Sequence, residues 1–157
     1  MTNDDRVKPL ELDDELRHVF AECRMVLPGI QALFGFQMIA VFSDAFAEKL
    51  MPSQQTIHGL AIGFVVLATS LIMSPAALHR RAEPQLASDR FLRAASRLMR
   101  AAMIFLAAGI SFDVYIVATL IRHSQLLALS AGAGAFALFL SLWEGYPALY
   151  RRRNAAR

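Results

Sequence analysis

The sequence predicts an all-α integral membrane protein in which four helices cross the bilayer. Hydrophobic residues make up 56% of the 157 residues, charged residues make up 18%, and the mean hydropathy is +0.42. The apolar residues come in blocks of about 20 that are apolar on every side, whereas a soluble helix would back an apolar stripe with charge. Because hydrocarbon offers no water to backbone amides, such blocks are expected to be helices.

The predicted spans lie within a membrane domain of residues 25–150, and each is long enough to cross roughly 30 Å of hydrocarbon. The first two are joined by a short connection, and so are the last two, while a longer basic loop at 79–100 separates the pairs. The sequence therefore predicts two helical hairpins. Their spans are residues 25–42, 57–78, 101–121 and 126–143.

The basic residues predict the orientation of these spans. All but two of the 16 Lys and Arg residues fall in the arm 1–24, the loop 79–100 and the tail 151–157. The exceptions, Lys49 and Arg122, fall at the opposite ends of the spans. Because cytoplasmic flanks retain an excess of positive charge, we expect both termini and the central loop to be cytoplasmic.

Two of these basic segments have amphipathic patterns. Within 11–24, apolar residues recur at helical spacing and predict an interfacial helix, which Pro28 would turn into the first span or kink near its start. In the loop, basic residues repeat at three- and four-residue steps and predict a face for anionic lipid headgroups. This stripe is formed by Arg90, Arg93, Arg97 and Arg100.

Asp113 is the most informative polar residue, because it lies inside the third apolar block. A carboxylate at that depth costs several kcal/mol unless it is neutral, paired or hydrated. Two interpretations follow. Asp113 could line a hydrated path or a proton site, or it could hydrogen-bond to a neighbouring helix and fix packing or oligomer register.

The first span carries two glutamines, Gln31 and Gln37. Six residues apart, they point about 120° from each other on a straight helix, so they cannot both face one narrow pore. Bonds between helices would account for both. If one belongs to an ion pathway, Gln37 is the better candidate, since Asp44 follows it on the same face seven residues later.

Small residues at four-residue steps predict close helix contacts at Gly59 and Gly63 and at Ser130 and Gly134, within or between subunits. No pattern indicates an enzyme, a cofactor site or nucleic-acid binding, and no metal site is predicted.

One metal or proton-sensing alternative is left open at the ends of the spans opposite the basic loop. It consists of two histidines and two carboxylates, which are His58, His123, Asp44 and Glu48.

Two motifs resemble those of a family of small four-span bacterial membrane proteins of unknown function. They are Glu22-x-Arg24 followed by Leu27-Pro28-Gly29-x-Gln31 and Leu33-Phe34-Gly35-Phe36-Gln37, and Ser74-Pro75-Ala76-Ala77-x-His79-Arg80. The resemblance implies a bacterial inner-membrane protein. It also directs attention to a cytoplasmic cluster of Glu22, Arg24, His79 and Arg80, which would either hold the hairpin together or form a gate or anion-binding vestibule.

The leading functional hypothesis is an oligomeric channel or transporter-like protein for a small ion or proton. With so few residues per subunit, an aqueous path would form most readily between subunits, so transport predicts a homo-oligomer. The alternative is a non-transporting membrane protein that assists, regulates or scaffolds a membrane protein partner.

Overall fold

The computed structural model describes residues 7–82, 88–122 and 124–155, and the part of the chain that it describes is helical. Residues 1–6 of the arm, 83–87 of the loop, 156–157 of the tail and His123 lie outside the described residues. The helices are α1 (Val7–Val41), α2 (Asp44–Lys49), α3 (Pro52–Ala82), α4 (Asp89–Arg122), α5 (Gln125–Leu140) and α6 (Tyr146–Ala155), with a π-helical segment, Ser141–Gly145, between the last two.

Four helical segments are long and apolar enough to cross a membrane, which confirms the predicted fold class at that level. They are Arg17–Val41, Pro52–Arg81, Arg90–Ile121 and Gln125–Asn154. The helices are longer than the predicted spans. At a rise of 1.5 Å per residue, the 34 residues of α4 measure about 51 Å, well beyond roughly 30 Å of hydrocarbon.

The arm and the first span form one continuous helix, α1, with Pro28 inside it. A separate interfacial helix at 11–24 is therefore not confirmed. Pro28 removes one backbone hydrogen bond, but its side chain is exposed, so its ring needs no space in the core. The helix also ends at Val41, so Asp44 does not continue the face of Gln37 as the sequence spacing predicted.

The core lies where α1, α3 and α4 meet, and its members are largely small. Val65, Ala68 and Ala102 are fully buried there, beside Cys23, whose thiol lies 3.6 Å from the carbonyl oxygen of Ile72. Helix α3 packs most extensively against α4, and α5 packs against α4 from the other side. The most extensive helix contact is therefore between α3 and α4, which the basic loop connects. It does not join the two helices of a predicted hairpin.

Close helix contacts within one chain occur at Gly109, which was not predicted, and at Gly132, which lies beside the predicted pair Ser130 and Gly134. A Cβ on Gly109 would lie 3.1 Å from the carbonyl oxygen of Ala61, and one on Gly132 would lie 3.0 Å from that of Ser111. Gly63 and Gly134, by contrast, have open space where a Cβ would be. Within one chain, Gly109 brings α4 to α3 and Gly132 brings α5 to α4.

The helices extend beyond the core at the end of the molecule that carries residues 79–100, which we call the arginine-rich end. There Val19 and Phe20 of α1 pack against Phe91, Leu92 and Ala95 of α4. The opposite end carries α2 and the α4–α5 connection, and we call it the α2 end. The candidate site lies near the α2 end.

Candidate functional site

Three helices bring polar side chains together at similar depth below the α2 end. Gln37 lies four residues before the end of α1, His58 six residues after the start of α3, and Asp113 nine residues before the end of α4. These offsets correspond to about 6, 9 and 14 Å along the helix axes. Antiparallel packing of α3 against its two neighbours therefore places the three residues side by side.

The carboxyl group of Asp113 is the centre of this cluster. Gln37 donates a hydrogen bond from Nε2 to Asp113 Oδ2 over 2.7 Å. The other carboxyl oxygen, Oδ1, lies 3.2 Å from His58 Nδ1. His58 Nε2 in turn lies 3.1 Å from the backbone carbonyl oxygen of Gln37. We call Gln37, His58 and Asp113 the polar triad.

The geometry of the polar triad fixes how many protons it needs. A carbonyl oxygen can only accept, so His58 Nε2 must carry a proton and donate it to Gln37. Nδ1 of a neutral His58 is then an acceptor facing Asp113 Oδ1 at 3.2 Å. A proton is needed between these two atoms, whether it is bonded to the carboxyl group or to the ring, and with it the pair has no net charge.

The shared proton is not held in a well-aligned bond. Asp113 Oδ1 is buried and accepts no hydrogen bond of good geometry from any described residue, although His58 Nδ1 is near. Gln37 Oε1 is also buried and has no hydrogen-bond partner among the described residues. His58 is 5% exposed and Gln37 is 3% exposed. Asp113 Oδ1 and Gln37 Oε1 are therefore left without a well-aligned donor among the described residues.

A partly open cavity of about 290 Å³ leads to the polar triad. Its walls are mainly apolar and come from α1, the segment around α2, and α4. The ring of Phe46 on α2 stands edge-on to His58, with centroids 5.4 Å apart. The cavity wall also includes Leu33, Phe36, Ala40, Leu50 and Leu120. The three residues of the polar triad all line this cavity.

Two of the predicted pathway residues lie outside this site. Gln31 is exposed on α1, away from Asp113, and Asp44 is exposed at the start of α2. Gln37 and Asp113 are brought together, and the structure adds His58. The glutamines thus differ as their angular separation predicted, with Gln37 facing the neighbouring helices of its own chain.

The alternative site of two histidines and two carboxylates has a different arrangement. His58 faces Asp113, and Asp44 and Glu48 are exposed on α2. His123 lies outside the described residues. Among the described residues, no group of three or more His, Cys, Asp and Glu side chains is placed to hold a metal ion.

At the arginine-rich end, His79 meets aromatic rings rather than the predicted charges. Its ring centroid lies 5.8 Å from that of Phe20 and 5.6 Å from that of Phe91. Glu22, Arg24 and Arg80 are exposed. Within the described part of the chain, Glu22 has no ion pair with His79 or Arg80, so apolar contacts hold α1, α3 and α4 together here.

The predicted arginine stripe is exposed along one end of α4, at Arg90, Arg93, Arg97 and Arg100. Arg100 Nε lies 3.7 Å from Glu144 Oε1 in the π-helical segment. The stripe is therefore accessible over most of its length, and among the described residues only Arg100 of the stripe contacts an acidic side chain.

His58 is the member of the triad whose role the sequence analysis missed. It stands alone at one end of an apolar block, so its spacing predicts nothing about Asp113. The sequence contains one signal for this contact, which is the distance of each residue from the end of its helix. Counted from the loops at the α2 end, Gln37, His58 and Asp113 fall within about two helical turns of one level.

The fold and the site define a class of protein: all-helical, with four helices able to cross a membrane and a buried carboxyl, imidazole and carboxamide group in contact. A family model matches residues 8–147, and the chain belongs to that family, a family of unknown function (DUF6328). The match covers three of the four long helical segments entirely and the fourth, Gln125–Asn154, as far as residue 147. Comparisons with curated proteins and with solved structures gave no match.

Proposed function

We propose that this protein is a small membrane transporter or channel-like protein that moves protons or a small ion, and that His58 and Asp113 hold the mobile proton. One observation carries the proposal. Asp113 Oδ1 and His58 Nδ1, 3.2 Å apart, require a proton between them but do not hold it in an aligned hydrogen bond. Titratable groups at membrane depth are typical of proton relays.

The cavity supports this proposal because His58 and Asp113 lie in its wall. A proton site needs water on at least one side to load and unload, and a partly open cavity of about 290 Å³ has room for it. On the other side of the triad the core of α1, α3 and α4 is tightly packed around Val65, Ala68 and Ala102. Access from the arginine-rich end would then need either a helix movement or a second subunit.

A homo-oligomer is part of the proposal. Gly134 on α5 leaves open space on the surface of one chain, as a contact between helices of different subunits requires. We further propose a bacterial inner-membrane location with the arginine-rich end in the cytoplasm, supported by the distribution of Lys and Arg.

Proton flux into liposomes tests the function. Purified protein is reconstituted with an internal pH-sensitive dye, and pH and ion gradients are imposed in turn. Asp113→Asn is expected to abolish flux because an amide cannot release a proton, and Gln37→Leu is expected to reduce it. Asp14→Asn, which removes an exposed acid far from the triad, serves as the control and should keep flux. Absence of flux for every common ion with folded protein would contradict the proposal.

The alternative, a membrane protein that assists or scaffolds a partner without transport, is favoured by the sparse coverage of α1. Only 11% of the most apolar stretch of α1 is buried within the chain. Much of this helix is therefore available to another protein or to lipid. Folded protein that gives no flux in the experiment above would favour this alternative.

A further inference from the structure

We propose that the cavity above the polar triad binds a small monovalent organic cation with an apolar body, and that this cation displaces the proton shared by His58 and Asp113. The inference rests on the proposed function and names the ligand class of the same site. It is carried by the charge of the triad, the chemistry of the cavity walls and the size of the cavity.

Charge balance selects a monovalent cation. With its shared proton the His58 and Asp113 pair is neutral, and without it the pair carries one negative charge, on Asp113. A bound monovalent cation restores neutrality, whereas a divalent ion would leave a net charge in a poorly hydrated site, which is costly. Exchange of one cation for one proton is therefore the balanced step.

The walls of the cavity favour an organic cation over a bare metal ion. Leu33, Leu50 and Leu120 present hydrocarbon, and no described residue adds a further carboxylate to that of Asp113. Hard metal ions take six or more oxygen ligands, which these side chains do not provide. An alkylated ammonium ion needs no such ligand shell, and its apolar groups gain by burial against the leucines.

Two phenylalanine rings add an attraction for positive charge. Phe36 and Phe46 both line the cavity, from α1 and α2 respectively. A cation within about 6 Å of a ring face is attracted by the electrons of the ring, and quaternary ammonium groups are characteristic ligands of this kind. The site thus combines one carboxylate with aromatic and aliphatic walls.

The volume sets the size of the ligand. A cavity of about 290 Å³ has room for about ten non-hydrogen atoms, taking roughly 30 Å³ for each water-sized group. Phenyltrimethylammonium has this size, and tert-butylbenzene is its neutral isostere. Comparing the binding of these two compounds separates the effect of charge from that of shape.

The exchange step balances in atoms and charge. The bond that breaks is the one from the shared proton to Asp113 Oδ1 or His58 Nδ1, and the proton passes to water at the mouth of the cavity. His58 is left neutral with its proton on Nε2, which still donates to the Gln37 carbonyl oxygen. Asp113 is left ionised, with Gln37 Nε2 on Oδ2 and the cation near Oδ1.

Other titratable groups near the site do not line the cavity. His58 and Asp113 are the titratable residues among those that do. Helix α2 carries Asp44, Glu48 and Lys49, which are exposed, and no titratable residue of α1 reaches the cavity. Tyr115 of α4 lines a second cavity between α4 and α5. Proton release on cation binding would thus come from the triad.

Proton release from the purified protein tests the inference. In weakly buffered detergent solution with a pH dye, phenyltrimethylammonium is expected to release protons from the wild type, while tert-butylbenzene releases none. Asp113→Asn should release none with either compound. Ala40→Phe, which adds bulk to the cavity wall at a residue outside the triad, should weaken cation affinity about tenfold or more.

Two further variants keep the result interpretable. Ala133→Phe, in the second cavity, is the matched control and should bind the cation as the wild type does. Phe36→Ala, at a side chain that is 72% exposed, should weaken binding without disturbing folding. Release by Na⁺ as strong as by phenyltrimethylammonium, or no release by the organic cation, would overturn the inference. Proton flux that still depends on Asp113 would then leave the proposed function standing.

Discussion

At Asp113, the two oxygens of the carboxyl group meet different partners from two other helices. Oδ2 accepts the 2.7 Å hydrogen bond from Gln37 Nε2, and Oδ1 lies 3.2 Å from His58 Nδ1. Gln37 therefore satisfies one oxygen with a fixed donor, while the shared proton that we propose lies at the other.

Replacing Gln37 should destabilise the protein measurably. Gln37→Leu leaves Asp113 Oδ2 buried without its donor, and we expect a loss of about 1–3 kcal/mol in the free energy of unfolding. Gln31→Leu is the matched control, since Gln31 lies on the same helix but is exposed, and it should change stability by less than about 0.5 kcal/mol. Unfolding in mixed micelles measures both. Equal effects of the two substitutions would contradict the role given to Gln37.

The sequence identified Asp113 and Gln37 but not their contact. Each was conspicuous as a polar residue in an apolar block, and one interpretation of each was a bond to a neighbouring helix. Their contact with His58 depends on which helices are adjacent and in what register, and hydropathy contains neither. Register was set by small residues such as Gly109, whose role appears only when α3 is placed against α4.

Among the elements, α3 and α4 form the rigid centre of the protein. Their approach depends on Gly109, where an added Cβ would lie 3.1 Å from both the Ala61 carbonyl oxygen and Val65 Cγ2. Because one of these atoms is backbone, the helices themselves would have to move apart. The positions of His58 on α3 and Asp113 on α4 would move with them.

Gly109→Ala should therefore destabilise the protein by about 1–3 kcal/mol, as overpacking of a tight contact does. Gly63→Ala is the matched control on α3, where a Cβ meets open space, and should be neutral or should stabilise the helix by up to about 1 kcal/mol. Thermal unfolding in detergent distinguishes the two. A larger loss from Gly63→Ala would place the critical contact at the predicted glycine pair instead.

Hydropathy did not predict the residues at which the helices begin and end. It located four apolar blocks, but the helices continue past them through polar residues, as α4 does through Arg90 and Arg93. These extensions are stabilised by apolar contacts such as Phe20 with His79 and His79 with Phe91, which involve three different helices. Pro28, read as a turn or kink, lies within a continuous helix.

The exposed arginines of α4 should bind anionic lipid. In nanodiscs that contain both anionic and zwitterionic lipids, we expect the wild type to retain anionic lipid more strongly than a variant with Arg93→Gln and Arg97→Gln. Each basic residue near an anionic surface contributes about 1 kcal/mol, and salt should weaken the effect. Native mass spectrometry of bound lipid measures it. Equal lipid retention by both proteins would contradict the prediction.

For the whole molecule, the distribution of charge and the position of the triad define two unlike ends. The arginine-rich end carries the exposed stripe Arg90, Arg93, Arg97 and Arg100, and the cavity with the triad lies nearer the α2 end. If the arginine-rich end is cytoplasmic, the triad lies nearer the outer surface, so transport to the cytoplasm would require a helix movement or a path between subunits.

Oligomerisation should depend on Gly134, where an added Cβ would meet open space within one chain. Gly134→Leu is expected to lower the mass of the purified complex, because Gly134 has open space within the subunit but would be crowded in a subunit contact. Ala137→Leu, at an exposed residue of the same helix, is the control. Ala128 is unsuitable because it is buried inside the chain. Light scattering reports the mass. An unchanged mass for Gly134→Leu would remove α5 from the interface.

We expect His58 to carry a proton on Nε2 and to share a second one with Asp113. Nitrogen NMR of the imidazole ring of His58 in lipid bilayers, recorded across a pH series, distinguishes this arrangement from the other tautomer. Nε2 should stay protonated at every pH, while the Nδ1 signal should respond to loss of the shared proton, and Asp113→Asn should change that response. A neutral ring protonated on Nδ1 with a bare Nε2 would show that His58 and Asp113 do not share a proton in this way.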